Sequence, residues 1–321
     1  MTKENLRIVF LGTPDFAVES LEAILANGYN VVGVVTMPDK PAGRGHKMYQ
    51  SPVKLCAMSH GIEVLQPVRL KDPEFVDRLR ALEADLFIVI AFRMLPEVVW
   101  TMPRLGTFNL HASLLPRYRG AAPINRAVMN GDTETGVTTF FLKHEIDTGD
   151  IISQERVEIL PTDNVGDVHD RLMHLGAKLT VKTIDDIIAG TLRPIPQDQL
   201  IGDTEPTPAP KIFKEDCEIC WNSPAETIHN HVRGLSPYPA AWSTLISDDT
   251  EQGAVKIFET AILHDMAPLA PGVIAIQGDT LIVGSATAPV SILSLQAPGK
   301  RRVTTAEYLR GARLVTPRFK A

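Results

Sequence analysis

The spacing of apolar positions changes along the chain, and the change divides it. Leu6 to Leu11 is a short run, apolar but for Arg7 and ended by Gly12, the pattern of a buried strand. Asp15 to Asn27 then places Val18, Leu21, Ile24 and Leu25 on one helical face, with Gly28 as its stop. Val31 to Thr36 is a second continuous strand, so the opening is a βαβ unit, the start of a parallel sheet with helices outside it. Helices are expected at Ser51–His60, capped by Ser51 with Pro52 at the first position, and at Pro73–Ala81, capped by Asp72. Asp85–Ile90 is a third strand, and Pro123–Asn130 a helix closed by Gly131. Val137–Leu142 and Ile151–Leu160 are strand-like, with a tight turn at Asp147-Thr148-Gly149-Asp150 between them. Asn164–Ala189 carries Val165, Val168, Leu172, Leu175 and Leu179 at helical spacing, and Gly190 ends it.

Thr191–Pro210 contains Pro194, Pro196, Pro206, Pro208 and Pro210, too many for a helix or a central strand, and is expected to be a semi-rigid linker. After it come short strand patterns at Val255–Phe258, Gly272–Gln277, Thr280–Val283 and Val290–Leu295, with a helix at Ser223–Val232. Short strands at close spacing predict a small barrel. The expected organisation is therefore a catalytic domain at 1–190, a linker at 191–210 and a second domain at 211–321. Met37–Gln50 interrupts the first domain as an exposed, positively charged loop without regular structure, long enough to suggest a function of its own.

Composition narrows the class. The chain has 321 residues, 44% apolar and 22% charged, which suits two folded domains. It has 3 cysteines, no secretory signal and no apolar run near membrane-spanning length, so a cytoplasmic setting is expected. The net charge of −6 argues against a strongly basic nucleic-acid binder, yet residues 298–321 hold seven Lys and Arg against Glu307 alone. The turn Gly12-Thr13-Pro14-Asp15 lacks the glycines of a dinucleotide fingerprint, which disfavours a nicotinamide dehydrogenase. His169 and His174 fall on different helical faces, and Cys217-Glu218-Ile219-Cys220 has no second cysteine pair, so no metal is expected.

The candidate chemistry centres on Asn109 and His111. Two apart on an extended stretch, they leave the same face, and an amide and an imidazole converge at a strand mouth. Both can donate to an oxyanion of the kind formed in acyl transfer. The loop that follows, Ser113-Leu114-Leu115-Pro116-Arg117-Tyr118-Arg119-Gly120, resembles the signature loop of formyltransferases that use 10-formyltetrahydrofolate, with Tyr118 in the usual Trp place. Arg233–Pro239, Ala241-Trp242 and Leu295–Arg301 resemble that family's second-domain motifs, so the likeness spans nearly the whole chain.

The resemblance implies a Rossmann-like, mainly parallel sheet with helices on both faces, followed by an OB-like barrel. It implies a catalytic triple of Asn109, His111 and Asp147, in which the first two stabilise the oxyanion and Asp147 takes the amine's proton. It implies folate contacts from Ser113, Leu114, Leu115 and Pro116. The turn at Phe92 and Arg93 corresponds to the family's pterin-binding turn but is shorter, with Arg93 where a glycine is common. The loop with Lys40, Arg44 and Lys47 resembles the insertion with which some members engage the acceptor arm of initiator methionyl-tRNA, and Lys300, Arg301 and Arg302 are the expected tRNA contacts in the second domain. The alternatives are a relative that formylates a nucleotide-sugar amine and a non-catalytic RNA-binding module, which would leave the Asn109–Asp147 constellation without a purpose.

Overall fold

The structure, a computed structural model, describes residues 2–42, 47–200 and 206–321. The chain forms two compact units. The first comprises Met1–Gly120, Thr135–Val157 and His169–Ala209; the second comprises Ala121–Glu134, Glu158–Val168 and Pro210–Ala321. The second unit thus draws in two segments from within the first 190 residues.

In chain order the first unit contains β1 (Arg7–Gly12), α1 (Asp15–Ala26), β2 (Asn30–Val35), β3 (Lys40–Ala42), β4 (Lys47–Tyr49), α2 (Pro52–Ser59), β5 (Val64–Leu65), α3 (Pro73–Ala81), β6 (Leu86–Ile90), α4 (Glu97–Trp100), β7 (Thr107–His111) and β8 (Arg119–Gly120). The helix α5 (Pro123–Met129) belongs to the second unit, and β9 (Glu134–Phe141), β10 (Ile151–Glu158) and α6 (Val165–Ala189) follow it. The main sheet has the order β10-β9-β7-β6-β1-β2-β5. Its pairs from β7 to β5 are parallel, and β9 runs antiparallel to β7.

The strands are buried on both faces, which is why they read as apolar runs. Val9, Leu11, Phe87 and Val89 pack with Phe75, Val76 and Leu79 of α3 and Val99 of α4. On the other face α6 lies so close that a Cβ at Gly176 would stand 2.6 Å from Leu110. Helix starts follow the expected capping. Ser51 Oγ accepts from the Lys54 amide at 3.1 Å, and Asp72 Oδ1 accepts from the Glu74 amide at 3.1 Å, each beside a proline at the first turn.

Met37–Gln50, expected as irregular loop, holds the two-stranded antiparallel ribbon β3–β4. Its root is fixed by Asp39, whose carboxylate accepts from Lys54 Nζ and Gln66 Nε2, and these bonds hold its pKa below the usual carboxylate range.

After β11 (Pro208–Ala209), the second unit contains α7 (Ala225–Leu235), β12 (Ala241–Ser247), β13 (Thr250–Ile262), β14 (Ile274–Gln277), β15 (Thr280–Val283), β16 (Val290–Gln296), β17 (Val303–Thr304), α8 (Thr305–Gly311) and β18 (Arg318–Phe319). The antiparallel order is β14-β15-β16-β13-β12-β18, and its ends meet. Val273 bridges Arg318, and the Ile274 and Phe319 amides donate to Pro317 O and Gly272 O. Closure leaves no open edge and gives the small barrel predicted from the strand spacing. Trp221, fully buried, stacks on Phe319 at 5.3 Å and donates to Ser243 Oγ, while Ile228, Val232 and Leu235 of α7 complete the core. Cys217 is buried and donates to Phe213 O, whereas Cys220 is exposed. A short 3-10 turn at Glu215–Cys217 precedes Glu218, which bridges Trp242.

Two histidines on α7 are held neutral. Burial, and then the nearby Arg233 charge, lower the pKa of His229; burial lowers that of His231, whose Nε2 has no partner among the described residues. The unfolded chain therefore takes up protons before the folded one does. The stability these groups contribute is complete above an unfolded pKa of about 6.5 and is lost as pH falls through the lower folded values. Melting of the second unit should fall between about pH 7.5 and 5.5, and His231→Asn should flatten that slope whatever it does to the midpoint. An unchanged slope, read by calorimetry across the pH series, would refute the assignment.

Candidate active site

Asn109 and His111 lie on β7, at the carboxyl end of the parallel strands where open α/β sheets place their ligands. The register sets them beside Val89 of β6 and opposite Phe140 and Thr138 of β9, so both leave the same face. His111 packs edge-on to Phe140 at 6.5 Å, and only 8% of its side chain is exposed. The Asn109 Oδ1 is buried with no hydrogen-bond partner among the described residues. Such an uncommitted amide costs roughly 1–3 kcal/mol unless a ligand completes it.

The two nitrogens of His111 have separate tasks. Nε2 donates to the Tyr118 carbonyl at 2.8 Å, which fixes the tautomer with a proton on Nε2. Nδ1 faces Asp147 Oδ2 at 3.8 Å, too far for a hydrogen bond and close enough for one small group or a water to touch both. Of the ring's two nitrogens, Nδ1 is thus the one left for a reactant, and the sequence does not distinguish between them.

Asp147 arrives from the turn between β9 and β10, with a left-handed backbone at φ +55°. Its Oδ2 accepts from the Gly120 amide at 2.9 Å. Gly120 itself has φ +127°, and a Cβ there would stand 2.5 Å from Ala209 O, so only glycine fits. Two residues past Asp147, a Cβ on Gly149 would stand 1.5 Å from Phe141 O. The neighbouring carboxylate, Asp150, is spent on Lys143.

One residue that sequence reasoning missed holds this turn in place. Gln197, only 3% exposed, donates from Nε2 to Asp147 O at 2.8 Å and Gly149 O at 2.9 Å. Its Oε1 accepts from Arg119 Nε at 3.1 Å and Nη2 at 2.7 Å. Gln197 lies in the stretch expected to be a linker. That stretch is tied to the first unit: Ile195 bridges Ile151, and β11 pairs with β8. Proline density hid the contacts, and only the glutamine itself could have signalled them.

The signature loop is stabilised from within. Ser113, fully buried, donates from Oγ to Arg117 O at 2.7 Å, and its carbonyl accepts from Thr138 Oγ1 at 2.6 Å. Gln154 donates to Leu115 O and to Thr138 Oγ1. Leu115 packs with Phe140 and Ile151 and Leu114 lies against Gly136, whereas Pro116 is half-buried. The side chains of Ser113 and Leu115 therefore shape the loop. Arg93 donates from Nη1 to Val68 O at 2.9 Å and from Nη2 to Pro67 O, and its guanidinium lies 5.7 Å from the Phe92 ring centre. Burial lowers its pKa. In place of a glycine, this turn has an arginine that pins it to the loop at 67–68, while Ala91 takes the left-handed backbone at φ +46°.

Of the expected tRNA-contacting cations, Lys40 is exposed at the start of the ribbon, and Arg44 and the side chain of Lys47 lie outside the described residues. In the second unit Lys300 and Arg301 are exposed between β16 and β17. Arg302 donates to Ser294 Oγ and covers the Phe258 ring at 4.5 Å.

The formyl transferase model matches residues 6–184, and the formyl transferase C-terminal domain model matches 211–313. The chain is 60% identical to the methionyl-tRNA formyltransferase of Bacteroides fragilis over 321 residues, all of this chain and 99% of that protein. It is 49% identical to the protein of the same name from Porphyromonas gingivalis over 314 residues, 97% of each. The chain belongs to the methionyl-tRNA formyltransferase family. Among solved structures, a Helicobacter canadensis N-formyltransferase in complex with folinic acid and dTDP-3-aminofucose matches at TM-score 0.66 and 20% identity, covering 89% of this chain and 98% of that one. HypX of Aquifex aeolicus in complex with tetrahydrofolic acid matches at TM-score 0.64 and 17% identity, covering 95% of this chain and 47% of that one. At these identities the solved structures carry the fold alone.

The arrangement around Gln197 gives a test. Gln197→Ala removes the grip on the Asp147 turn and leaves buried carbonyls unpaired. It should lower kcat for formyl transfer about 10–100-fold with KM nearly unchanged, because only the alignment of Asp147 is lost. Steady-state kinetics with both substrates varied would check it, and wild-type kcat in a folded variant would rule the role out.

Proposed function

We propose that this enzyme transfers the formyl group of 10-formyltetrahydrofolate to the α-amino group of methionyl-initiator tRNA, in the cytoplasm. Identity of 60% to a methionyl-tRNA formyltransferase across the whole chain supports the substrate pair. The observation that carries the chemistry is the 3.8 Å gap between His111 Nδ1 and Asp147 Oδ2, with Asn109 on the same face of β7.

Amine attack on the formyl carbon makes a C–N bond, turns the carbonyl oxygen into an oxyanion and leaves a proton to be removed. Asn109 through Nδ2, and His111 through Nδ1 in the form that carries a hydrogen on both ring nitrogens, act as donors to the oxyanion, the role of preorganised dipoles in acyl transfer. Asp147 Oδ2, which accepts one bond from the Gly120 amide, keeps acceptor capacity for the amine proton, directly or through a water. When the intermediate collapses, the C–N bond to the folate breaks and the proton returns to the leaving nitrogen. No covalent enzyme intermediate is required. The Ser113–Pro116 loop and the Phe92–Arg93 turn border the folate side in this reading, with backbone groups and the half-buried side chains of Phe92, Leu114 and Pro116 as the contacts. Lys40, Arg44, Lys47, Lys300, Arg301 and Arg302 serve tRNA phosphates.

The sugar-amine reading and the tRNA reading share the chemistry and differ in the acceptor. The purified enzyme should formylate charged initiator tRNA and leave nucleotide-linked amino sugars unmodified; the opposite preference would overturn the assignment. Asp147→Asn keeps the shape but removes the base, and should lower kcat by about 10²–10⁴-fold while leaving tRNA binding within about twofold. Full activity of Asp147→Asn would remove the carboxylate from the mechanism.

A further inference from the structure

Away from the active site, α1 and α2 bring together a set of side chains that formyl transfer does not use. Cys56 and His60 stand four apart, one turn along α2 and its C-terminal cap, so they share a face. Glu22 of α1 reaches both. Its Oε1 accepts from Cys56 Sγ at 3.2 Å, and its Oε2 lies 3.0 Å from His60 Nε2. One ligand atom from each of the three lies within 4.8 Å of the other two.

We propose that Glu22, Cys56 and His60 form a zinc-binding site that ties α1 to α2. The argument rests on ligand type, spacing and charge. Bond lengths of about 2.0–2.3 Å to nitrogen, oxygen and sulfur, at tetrahedral angles, put neighbouring ligand atoms roughly 3.2–3.7 Å apart. The Glu22 contacts at 3.2 and 3.0 Å need only small side-chain adjustments to reach that spacing. The donors are a thiolate, an imidazole and a carboxylate, which suits zinc and disfavours magnesium or calcium. A divalent ion with one thiolate and one carboxylate is electrically neutral, so the half-buried site need not hold a net charge.

The protons balance. In this structure one carboxylate collects the thiol hydrogen and a hydrogen on His60 Nε2. Zinc takes the place of both: the S–H bond breaks and its proton leaves to solvent, the His60 ring hydrogen passes through solvent from Nε2 to Nδ1, and metal–sulfur and metal–nitrogen bonds form with His60 as a neutral imidazole. Cys56 is buried, while the side chains of His60 and Glu22 are 40% and 48% exposed, so the fourth position opens to water. The consequence is mechanical. Lys54, on the same short helix, holds Asp39 at the root of the β3–β4 ribbon, so fixing α2 also fixes that root.

The test uses full-length protein stripped with a chelator, in a Cys217→Ser and Cys220→Ser background that leaves Cys56 as its one thiol. Zinc is titrated in competition with a chromophoric chelator, and cobalt is used as a spectroscopic probe. The expected result is saturable binding of about one ion per chain, a thiolate-to-cobalt charge-transfer band, and an upward shift of the melting midpoint. Cys56→Ser should abolish the band. His60→Ala and Glu22→Gln should each weaken zinc binding about tenfold or more. His60 is exposed, so its replacement keeps the test alive if Cys56→Ser fails to fold. No saturable binding, or affinity unchanged in folded His60→Ala, would overturn the proposal. A cobalt band present only with Cys217 and Cys220 intact would assign the metal to them and also overturn it.

Discussion

The single bond from the Gly120 amide to Asp147 Oδ2 joins two loops that are remote in sequence, and the candidate site depends on it. Without it the Asp147 carboxylate would lose its direct bond to β8, and the turn would be held there only through Gln197 and Arg119. The bond needs a backbone that only glycine adopts comfortably at 120, because φ is +127° and Ala209 O fills the space of a side chain. It also needs the Asp147 turn to press against β9, which Gly149 allows, and needs Gln197 to hold two carbonyls of that turn. The precision of one carboxylate oxygen is thus spread over β8, β11, the turn at 147–150 and a glutamine about 50 residues further on.

Around that anchor the structure accepts local costs. Asp147, Tyr118 and Ala91 all have left-handed backbones, although none is glycine. Asn109 has a buried oxygen with no partner among the described residues. Each is unfavourable alone by about 1–3 kcal/mol. They gather at the carboxyl ends of β6 and β7 and in the loops facing them, and the rest of the sheet is ordinary apolar packing. Left-handed backbones also occur away from the site, at Glu83, Ala240, Asp248, Asp249 and Thr316, so it is their coincidence with the unpartnered Asn109 oxygen that marks this edge. The His111 ring shows the same economy. One nitrogen is spent on Tyr118 O, so the ring cannot rotate, and the other is aimed at the gap beside Asp147.

Much of this was legible in the sequence wherever the cause was local. Ser51 and Asp72 cap the helices they were expected to cap, and α6 ends at Gly190 as the helical spacing predicts. The shared face of Asn109 and His111 follows from alternation on a strand, and β7 supplies the strand. Asp147 could be named only through a family likeness, because no periodicity links residues 109 and 147. Gln197 was hidden for a different reason: proline-rich composition says that backbone hydrogen bonds will be few, and says nothing about side chains that make them instead. The ribbon at 40–49 was missed because Lys-Pro-Ala has poor strand propensity, and its root is set by Asp39, Lys54 and Gln66. At Ser113 and Leu115 the side chains of the recognisable motif serve the loop's own bonding and packing.

Net charge misled in an instructive way. A chain at −6 does not suggest a polyanionic substrate, and a mean over 321 residues hides what a ligand meets. Screening limits each charge to about 8 Å at physiological ionic strength, so an approaching phosphate responds to the nearest few groups. Lys300, Arg301 and Arg302 are consecutive and exposed, and Arg302 is braced by Ser294 and Phe258. A braced guanidinium loses less side-chain entropy on binding than a free one, so it attracts more effectively than its charge alone indicates. Three cations in one short turn make a local field that the distant carboxylates cannot cancel. The acidic total is a property of the whole chain, and the turn between β16 and β17 is where an anion meets cations first.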